Sequence, residues 1–287
     1  MGADVIAFHV PGYVENFLSC VAAFITDAAI FPNRKGVLYR GRTVEVQAIP
    51  VGVNHELFAA LGRDEAVREQ AAALRRQIGT EKILLGVERL DYSKGVFERL
   101  AAFEHFLETT PEYHEKVSLV QIGVPTRKGI GAYDELRRQV EMMVGRINGR
   151  FGTPAWTPVR YFYRAFGQRE LAAFYLAADV AVVTPLRDGL NLVAGEYVVT
   201  RDNAGVLILS RLAGIAQHLR EALLVNPYDI AGTAAAFRQA VEMPPGEQQV
   251  RLQALKQRLA RRTASAWVKA FLKLALEHEA DRISAGY

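Results

Sequence analysis

From residue 82 to residue 241 short apolar runs alternate with longer amphipathic ones, and this alternation limits what the chain can fold into more than any other feature. The runs 83–87, 117–122, 158–162, 179–183, 206–209 and 223–225 are too short for helices and apolar enough for buried strands. Between them, 95–107, 132–147 and 169–178 read as helices. In the second, Tyr133, Leu136, Val140, Met143 and Ile147 fall on one face. Helices are also expected over 230–241 and 248–279. Strands alternating with helices predict an α/β fold built on a doubly wound parallel sheet.

The beginning of the chain lacks this regularity. Residues 3–10 read as a strand and 14–25 as a helix with Phe17, Leu18, Val21, Phe24 and Ile25 on one stripe. Two further strands, 36–39 and 44–49, are joined by Arg40-Gly41-Arg42 and closed by Pro50. One core strand and one helix do not make a domain. The expectation is therefore a partial unit over 1–49, a complete domain over 50–245 and a long closing helix over 246–287, with an amino-terminal piece missing.

Composition narrows the partners. Half of the 287 residues are hydrophobic and 23% are charged, which excludes global disorder. The net charge of +4 suits a small anionic ligand, and no aromatic-interleaved basic stripe calls for nucleic acid. Residues 250–276 carry Arg251, Lys256, Arg258, Arg261, Arg262, Lys269 and Lys273 with no acid among them, and read as a solvated helix face that repels itself. The one cysteine, Cys20, excludes an internal disulfide framework and fits a reducing, cytoplasmic setting. No basic leader precedes the first apolar run, Ile6 stands where a myristoylation signal needs Ser or Thr, and no apolar run is long enough to span a membrane.

The chemistry concentrates where strands end. Thr184-Pro185-Leu186-Arg187-Asp188-Gly189-Leu190-Asn191 follows the strand 179–183 and leads into a helix whose second turn holds Glu196. A strand, a Gly-containing turn and a helix start place backbone N–H groups outside a strand's carboxyl end, where anionic ligands bind in open α/β sheets. Asp188 and Glu196 flank that turn, which suits a ligand with hydroxyls to fix as well as a phosphate. A nucleotide-sugar has both. After 83–87 comes Glu88-Arg89-Leu90-Asp91-Tyr92-Ser93-Lys94-Gly95. Its guanidinium, ammonium and helix start suit a diphosphate, although taken alone it reads equally well as a solvated loop. After 117–122 the loop 123–129 offers Arg127 for a second phosphate, and Asp134 stands where a dinucleotide fingerprint needs its third glycine. Phe166 is a stacking platform for a base or, as such residues more often are, part of the core. His-Glu-x-x-His, Gly-x-Ser-x-Gly, Asp-x-Asp and Cys/His ligand spacings are all missing, so no metal and no cofactor is expected. Of six scattered histidines only His9 lies near the expected rim.

These strings resemble the trehalose-6-phosphate synthase family, glycosyltransferases of family 20. The resemblance runs from Gly2-Ala3-Asp4-Val5-Ile6-Ala7-Phe8-His9 through Val87-Glu88-Arg89-Leu90-Asp91-Tyr92-Ser93-Lys94-Gly95 and Gly145-Arg146-Ile147-Asn148-Gly149-Arg150-Phe151-Gly152. It continues through Trp156-Thr157-Pro158, the 184–196 stretch, 205–210 and Asn226-Pro227-Tyr228, covering essentially the whole chain. It implies a GT-B fold of two Rossmann-like domains: 1–49 the carboxyl-terminal remnant of the acceptor-side domain, 50–245 the nucleotide-sugar domain, and 246–287 returning toward the amino-terminal domain. It implies retaining, metal-independent transfer of glucose from UDP-glucose to glucose 6-phosphate, giving trehalose 6-phosphate. A close relative, glucosylglycerol-phosphate synthase, takes glycerol 3-phosphate, and a truncated paralogue that binds donor without turnover is a further alternative. A homo-oligomer is compatible with the family.

By motif position, the resemblance assigns Arg89 and Lys94 to the diphosphate, Asp188 to the donor-sugar hydroxyls and Glu196 to the ribose. Arg89, Lys94 and Asp188 are then the catalytic residues. Leu192 and Val193 form a backbone clamp, and Phe166 belongs to the uracil site. Ile122, Leu171, Gly189, Leu190, Asn191, Ala194 and Gly195 complete the donor set, Arg127 holds the acceptor phosphate, and His9 lies on the rim. Three departures from the family pattern are Glu88 for an aspartate, Gly195 for a lysine and Arg211 for an acid or amide. With one cleft wall reduced to 3–49, the chain is expected to bind donor and to transfer glucose poorly.

Overall fold

Residues 2–127, 129 and 131–284 are described by a computed structural model. Lys128 of the 123–129 loop and the final three residues of the expected closing helix lie outside them. The chain divides into two compact units, Met1–Asn54 with Arg261–Tyr287, and His55–Ala260.

In the smaller unit β1 (Val5–Phe8), α1 (Pro11–Phe24), β2 (Ala28–Ile30), β3 (Gly36–Tyr39) and β4 (Arg42–Ala48) follow one another, and the sheet order is β1-β4-β3-β2. β1 runs parallel to β4, whereas β2 and β3 are antiparallel additions at the edge. β2 carries no strand signal of its own, being only three residues long with two alanines, a residue type depleted in strands. The buried line of α1 is Val14, Leu18 and Val21, packed on Val37 and Val46. Phe24, expected on that stripe, is instead 82% exposed.

The larger unit opens with α2 (His55–Arg63) and α3 (Glu65–Ile78), a stretch without an assignment from sequence. Asp64 interrupts the helical period there: its carboxylate accepts the Val67 N–H at 3.2 Å and so begins a second helix, which Gly79 ends in the left-handed region. Then β5 (Lys82–Arg89), α4 (Val96–Thr109), β6 (Val117–Val124), α5 (Gly131–Phe151), β7 (Val159–Phe162), α6 (Gln168–Ala177), β8 (Val180–Val183), α7 (Leu192–Thr200), β9 (Val206–Ser210), β10 (Leu223–Val225), α8 (Ile230–Glu242) and α9 (Pro245–Ala260) alternate as expected. All six strands are parallel, in the order β10-β9-β8-β5-β6-β7. α4 packs with α5 and α8 on one face; α2, α3, α6, α7 and α9 pack together on the other. Between the sheet and α4, Leu100, Phe103, Phe106 and Leu107 are fully enclosed with Phe237 of α8. Each such side chain contributes about 1.5–3 kcal/mol by leaving water.

The expected single closing helix over 246–287 is broken. α9 ends at Ala260 with Leu252, Leu255 and Leu259 buried, and it packs on α7 and β9 in the larger unit. Thr263 then bridges Val53 of the smaller unit, and its hydroxyl accepts the Ala266 N–H at 3.1 Å, which starts α10 (Ala264–Ser284) afresh beside β1. No helix among the described residues is long and apolar enough to cross a membrane.

Candidate active site

The strand order of the larger unit reverses direction between β5 and β8, adjacent in the sheet but far apart in sequence. Loops leaving such a pair diverge to opposite faces and open a crevice at the strands' carboxyl ends. The loop after β5 and the loop after β8 are the two that carry most of the expected site.

These loops are fastened to each other. Asp91 accepts from the Ser93 N–H at 3.0 Å and the Ser93 hydroxyl at 2.8 Å, closing a single turn over Tyr92–Lys94. The Ser93 carbonyl then accepts the N–H groups of Leu186 and Arg187 at 2.8 and 3.1 Å. Gly95 follows with φ 65°, and a Cβ there would stand 2.3 Å from the Thr184 carbonyl oxygen. Only glycine meets both the left-handed backbone and the close approach. Across the crevice Lys94 Nζ donates to Asp188 Oδ2 at 2.8 Å, each side chain only 14% exposed.

Asp188 is held on several sides, accepting also from the Leu190 N–H at 3.2 Å and Asn191 Nδ2 at 3.1 Å. Asn191, at φ 76°, accepts the Ala194 N–H with its side-chain Oδ1 and so caps α7. The N–H groups of Leu192 and Val193 belong to that first turn, where a helix has no internal acceptor. One turn on, Glu196 accepts the Tyr175 hydroxyl at 2.9 Å. Burial raises the Glu196 carboxyl above its ordinary range, against the opposing bond from Tyr175, and burial likewise raises the Tyr175 phenol. Gly189 is half-buried in the turn, and Leu190, Ala194 and Gly195 are buried. The Arg89 side chain is exposed at the end of β5 and makes no hydrogen bond or ion pair with another described residue, while its backbone pairs with Val124 of β6.

The remaining expected residues are placed less uniformly. Phe166 is half-buried, set edge-on to Phe162 and Phe174 at 5.7 and 5.0 Å, with the Arg164 guanidinium 4.2 Å over its ring. Leu171 is half-buried in α6. Ile122 is completely enclosed on β6, so its side chain is unavailable and only its backbone could meet a ligand. Arg127, at φ 43°, donates to the Tyr133 hydroxyl at 2.8 Å, which in turn donates to Asp91 at 3.3 Å. Burial is the largest influence on Asp91 and opposes its ionisation, but the bonds from Ser93 and Tyr133 and the charge of Lys94 together hold it below the usual carboxylate range. His9 follows β1 in the smaller unit, with a buried Nδ1 that has no partner among the described residues.

Beneath the crevice lies a polar group that the motifs did not reveal. Arg99 of α4 donates from Nη1 to Glu88 at 2.5 Å and to Gln121 at 2.9 Å, and from Nε to the Thr184 hydroxyl at 3.0 Å. Gln121 also donates to Glu88. All four are buried. The signal was present in the sequence: Arg99 occupies the apolar stripe of its helix, between Val96 and Phe103.

Chemically, the loops after β5 and β8 bring together the Lys94 ammonium, the Asp188 carboxylate and the first turn of α7, a cation, a hydroxyl acceptor and free N–H donors. Among the described residues no group of three His, Cys, Asp or Glu is placed to hold a metal ion.

Comparison with known proteins agrees with this architecture. The chain is 41% identical over 274 residues to a bifunctional trehalose-6-phosphate synthase/phosphatase of Thermoproteus tenax, covering 95% of this chain and 37% of that one. A UDP-forming alpha,alpha-trehalose-phosphate synthase from Burkholderia xenovorans, solved in complex with glucose-6-phosphate, superposes with a TM-score of 0.89 at 38% identity. That match covers 94% of this chain and 60% of the Burkholderia chain. An E. coli structure bound with UDP-2-fluoro glucose gives 0.88 at 34% identity, over 94% and 60% of the two chains. The chain thus spans between 37% and 60% of the length of these relatives. Its α/β, GT-B-type fold is theirs. The family model for glycosyltransferase family 20 matches residues 1–277, and the chain belongs to that family.

Proposed function

We propose that residues 55–260 bind the nucleotide-sugar donor of a retaining glucosyl transfer, with UDP-glucose as donor and glucose 6-phosphate as acceptor in the whole protein, the product being trehalose 6-phosphate. The observation that carries this reading is the Lys94–Asp188 contact across the switch point, which sets a phosphate-binding cation beside a carboxylate able to hold sugar hydroxyls. Arg89 and Lys94 meet the charge that develops on the leaving diphosphate, and the leaving oxygen accepts the proton of the attacking hydroxyl on the same face. No protein nucleophile and no metal ion enters this scheme. Asp188 orients the glucose ring, the Leu192 and Val193 N–H groups bind phosphate oxygen, Glu196 holds the ribose and Arg127 grips the acceptor phosphate. The smaller unit belongs, on this reading, to the acceptor-side domain. The donor resemblance to relatives bound with glucose-6-phosphate and UDP-2-fluoro glucose supports the choice of substrates.

Calorimetric titration with UDP and UDP-glucose tests the site. Arg89→Ala and Lys94→Ala should each lose about 1.5–3 kcal/mol of binding, the range for hydrogen bonds to charged groups. Unchanged affinity in both variants refutes the assignment. Mass spectrometry of mixtures containing UDP-glucose and either glucose 6-phosphate or glycerol 3-phosphate identifies the acceptor.

A further inference from the structure

We propose that Arg99 is a positioning residue for the donor site, a role that rests on the reading above. Its guanidinium draws on three adjacent strands at the end facing the crevice: Glu88 on β5, Gln121 on β6 and Thr184 just after β8. Two of the anchors lie one short step from a ligand-binding group. Glu88 immediately precedes Arg89. Thr184 presents its carbonyl to Gly95, next to Lys94, at a distance that admits no Cβ. Gln121 lies on the strand that runs out to the Arg127 loop. One planar fork therefore sets the relative height of three loops.

Stability alone is a poor account of this arrangement. The Arg99 and Glu88 side chains are 0% and 7% exposed, and a buried ion pair is often matched or bettered by apolar residues of similar shape. Arg99 Nη2 is buried without a partner among the described residues, a defect that a group selected for stability would avoid. The fold also yields space to the guanidinium. At Gly86, in the middle of β5, a Cβ would stand 2.4 Å from Arg99 Nη1 and 2.6 Å from Gln121 Oε1. A strand interior gives up a side chain here so that the fork can reach both neighbours. Lysine, a point charge with no fixed fork, cannot reproduce three directed bonds.

The test compares UDP affinity with stability in the full chain. Arg99→Lys and the charge-neutral pair Glu88→Gln/Arg99→Met are measured by calorimetry with UDP, by thermal melting and by near-UV circular dichroism. The expected result is a native near-UV spectrum with UDP affinity reduced about tenfold or more in both. Arg89→Ala is added to each background: because Arg99 acts through Arg89, the combined loss should fall clearly short of the product of the separate losses. A folded variant that binds UDP as the parent does overturns the positioning role, as does a fully multiplicative combination. Should the Arg99 variants fail to fold, Thr184→Val removes one anchor without touching the ion pair. It should weaken UDP severalfold, and unchanged affinity there overturns the proposal. If Arg89→Ala alone leaves UDP binding intact, Arg99 has nothing to act through there and this inference falls; the donor-site reading itself fails only if Lys94→Ala is without effect as well.

Discussion

Replacing Gly95 by alanine isolates what the fastening of the two loops is worth. An L-residue in the left-handed region at φ 65° costs about 1–2 kcal/mol. The second contribution comes from the 2.3 Å approach to the Thr184 carbonyl. Carbon needs about 3.5 Å to a nonbonded atom, so the loops must part by about 1 Å. Parting them strains the bonds from the Leu186 and Arg187 N–H groups to the Ser93 carbonyl, each worth about 0.5–1.5 kcal/mol. The sum is about 2–5 kcal/mol. Gly79 supplies the control: its φ is 77°, yet a Cβ there would have its nearest neighbour at 3.8 Å, ordinary contact. Gly79→Ala should therefore cost the conformational part alone, about 1–2 kcal/mol. Urea unfolding gives the two losses, and UDP titration reports whether Lys94 and Asp188 have moved apart. Equal losses in the two variants, with UDP affinity unaffected by Gly95→Ala, would refute the argument that close packing of these loops sets the site.

Two further outcomes follow from the same geometry. Because burial raises the Glu196 carboxyl, the folded state holds that proton more tightly than the unfolded chain does. The associated stability is complete below the unfolded pKa, about 4.3 for a glutamate, and is lost as pH rises through the folded value. Glu196→Gln keeps an acceptor for Tyr175 and cannot titrate, so across this window its melting temperature should decline less with rising pH than the parent's; parallel curves would exclude the effect. Tyr133→Phe removes the bond from Arg127 and the bond to Asp91, and should cost about 1 kcal/mol in urea unfolding while weakening calorimetric binding of glucose 6-phosphate. Retention of full stability and affinity would show that Arg127 needs no such support.

The legible parts of this protein were those in which local pattern and tertiary role coincide. Buried parallel strands are continuous apolar runs, so β5, β6, β8 and β9 were readable directly, and with them the strand end that holds Arg89 and the loops that hold Lys94 and Asp188. β2 was not readable, because its three residues become a strand only by pairing with β3. The break between α9 and α10 was hidden for a similar reason: Thr263 is an ordinary helix-compatible residue until it bridges Val53. Residues 250–276 looked self-repelling because the sequence cannot show partners from elsewhere. Arg258 in fact pairs with Glu221 at 2.5 Å, and Arg251 with Glu247 at 2.8 Å, a residue just outside the window considered. In the site, motif position could name Arg127 but not the tyrosine that orients it, and it could name Ile122 without showing that its side chain is enclosed.

The Lys94–Asp188 pair bears on how phosphate and sugar recognition are joined in the proposed donor site. On the proposed reading two cations, Arg89 and Lys94, serve one diphosphate, and like charges brought together there repel until an anion arrives. Asp188 lowers that repulsion, since its carboxylate already holds the Lys94 ammonium at 2.8 Å. A diphosphate that reaches Lys94 competes for its three donors and weakens the hold on Asp188. The carboxylate, still supported by the Leu190 N–H and Asn191 amide, then has acceptor capacity to give to sugar hydroxyls. Arrival of the phosphate end thus prepares the sugar end, and the coupling runs both ways. On this argument Asp188→Asn should weaken UDP-glucose more than UDP, because only the sugar needs the carboxylate. Equal loss for both ligands would mean that Asp188 serves the phosphate site alone.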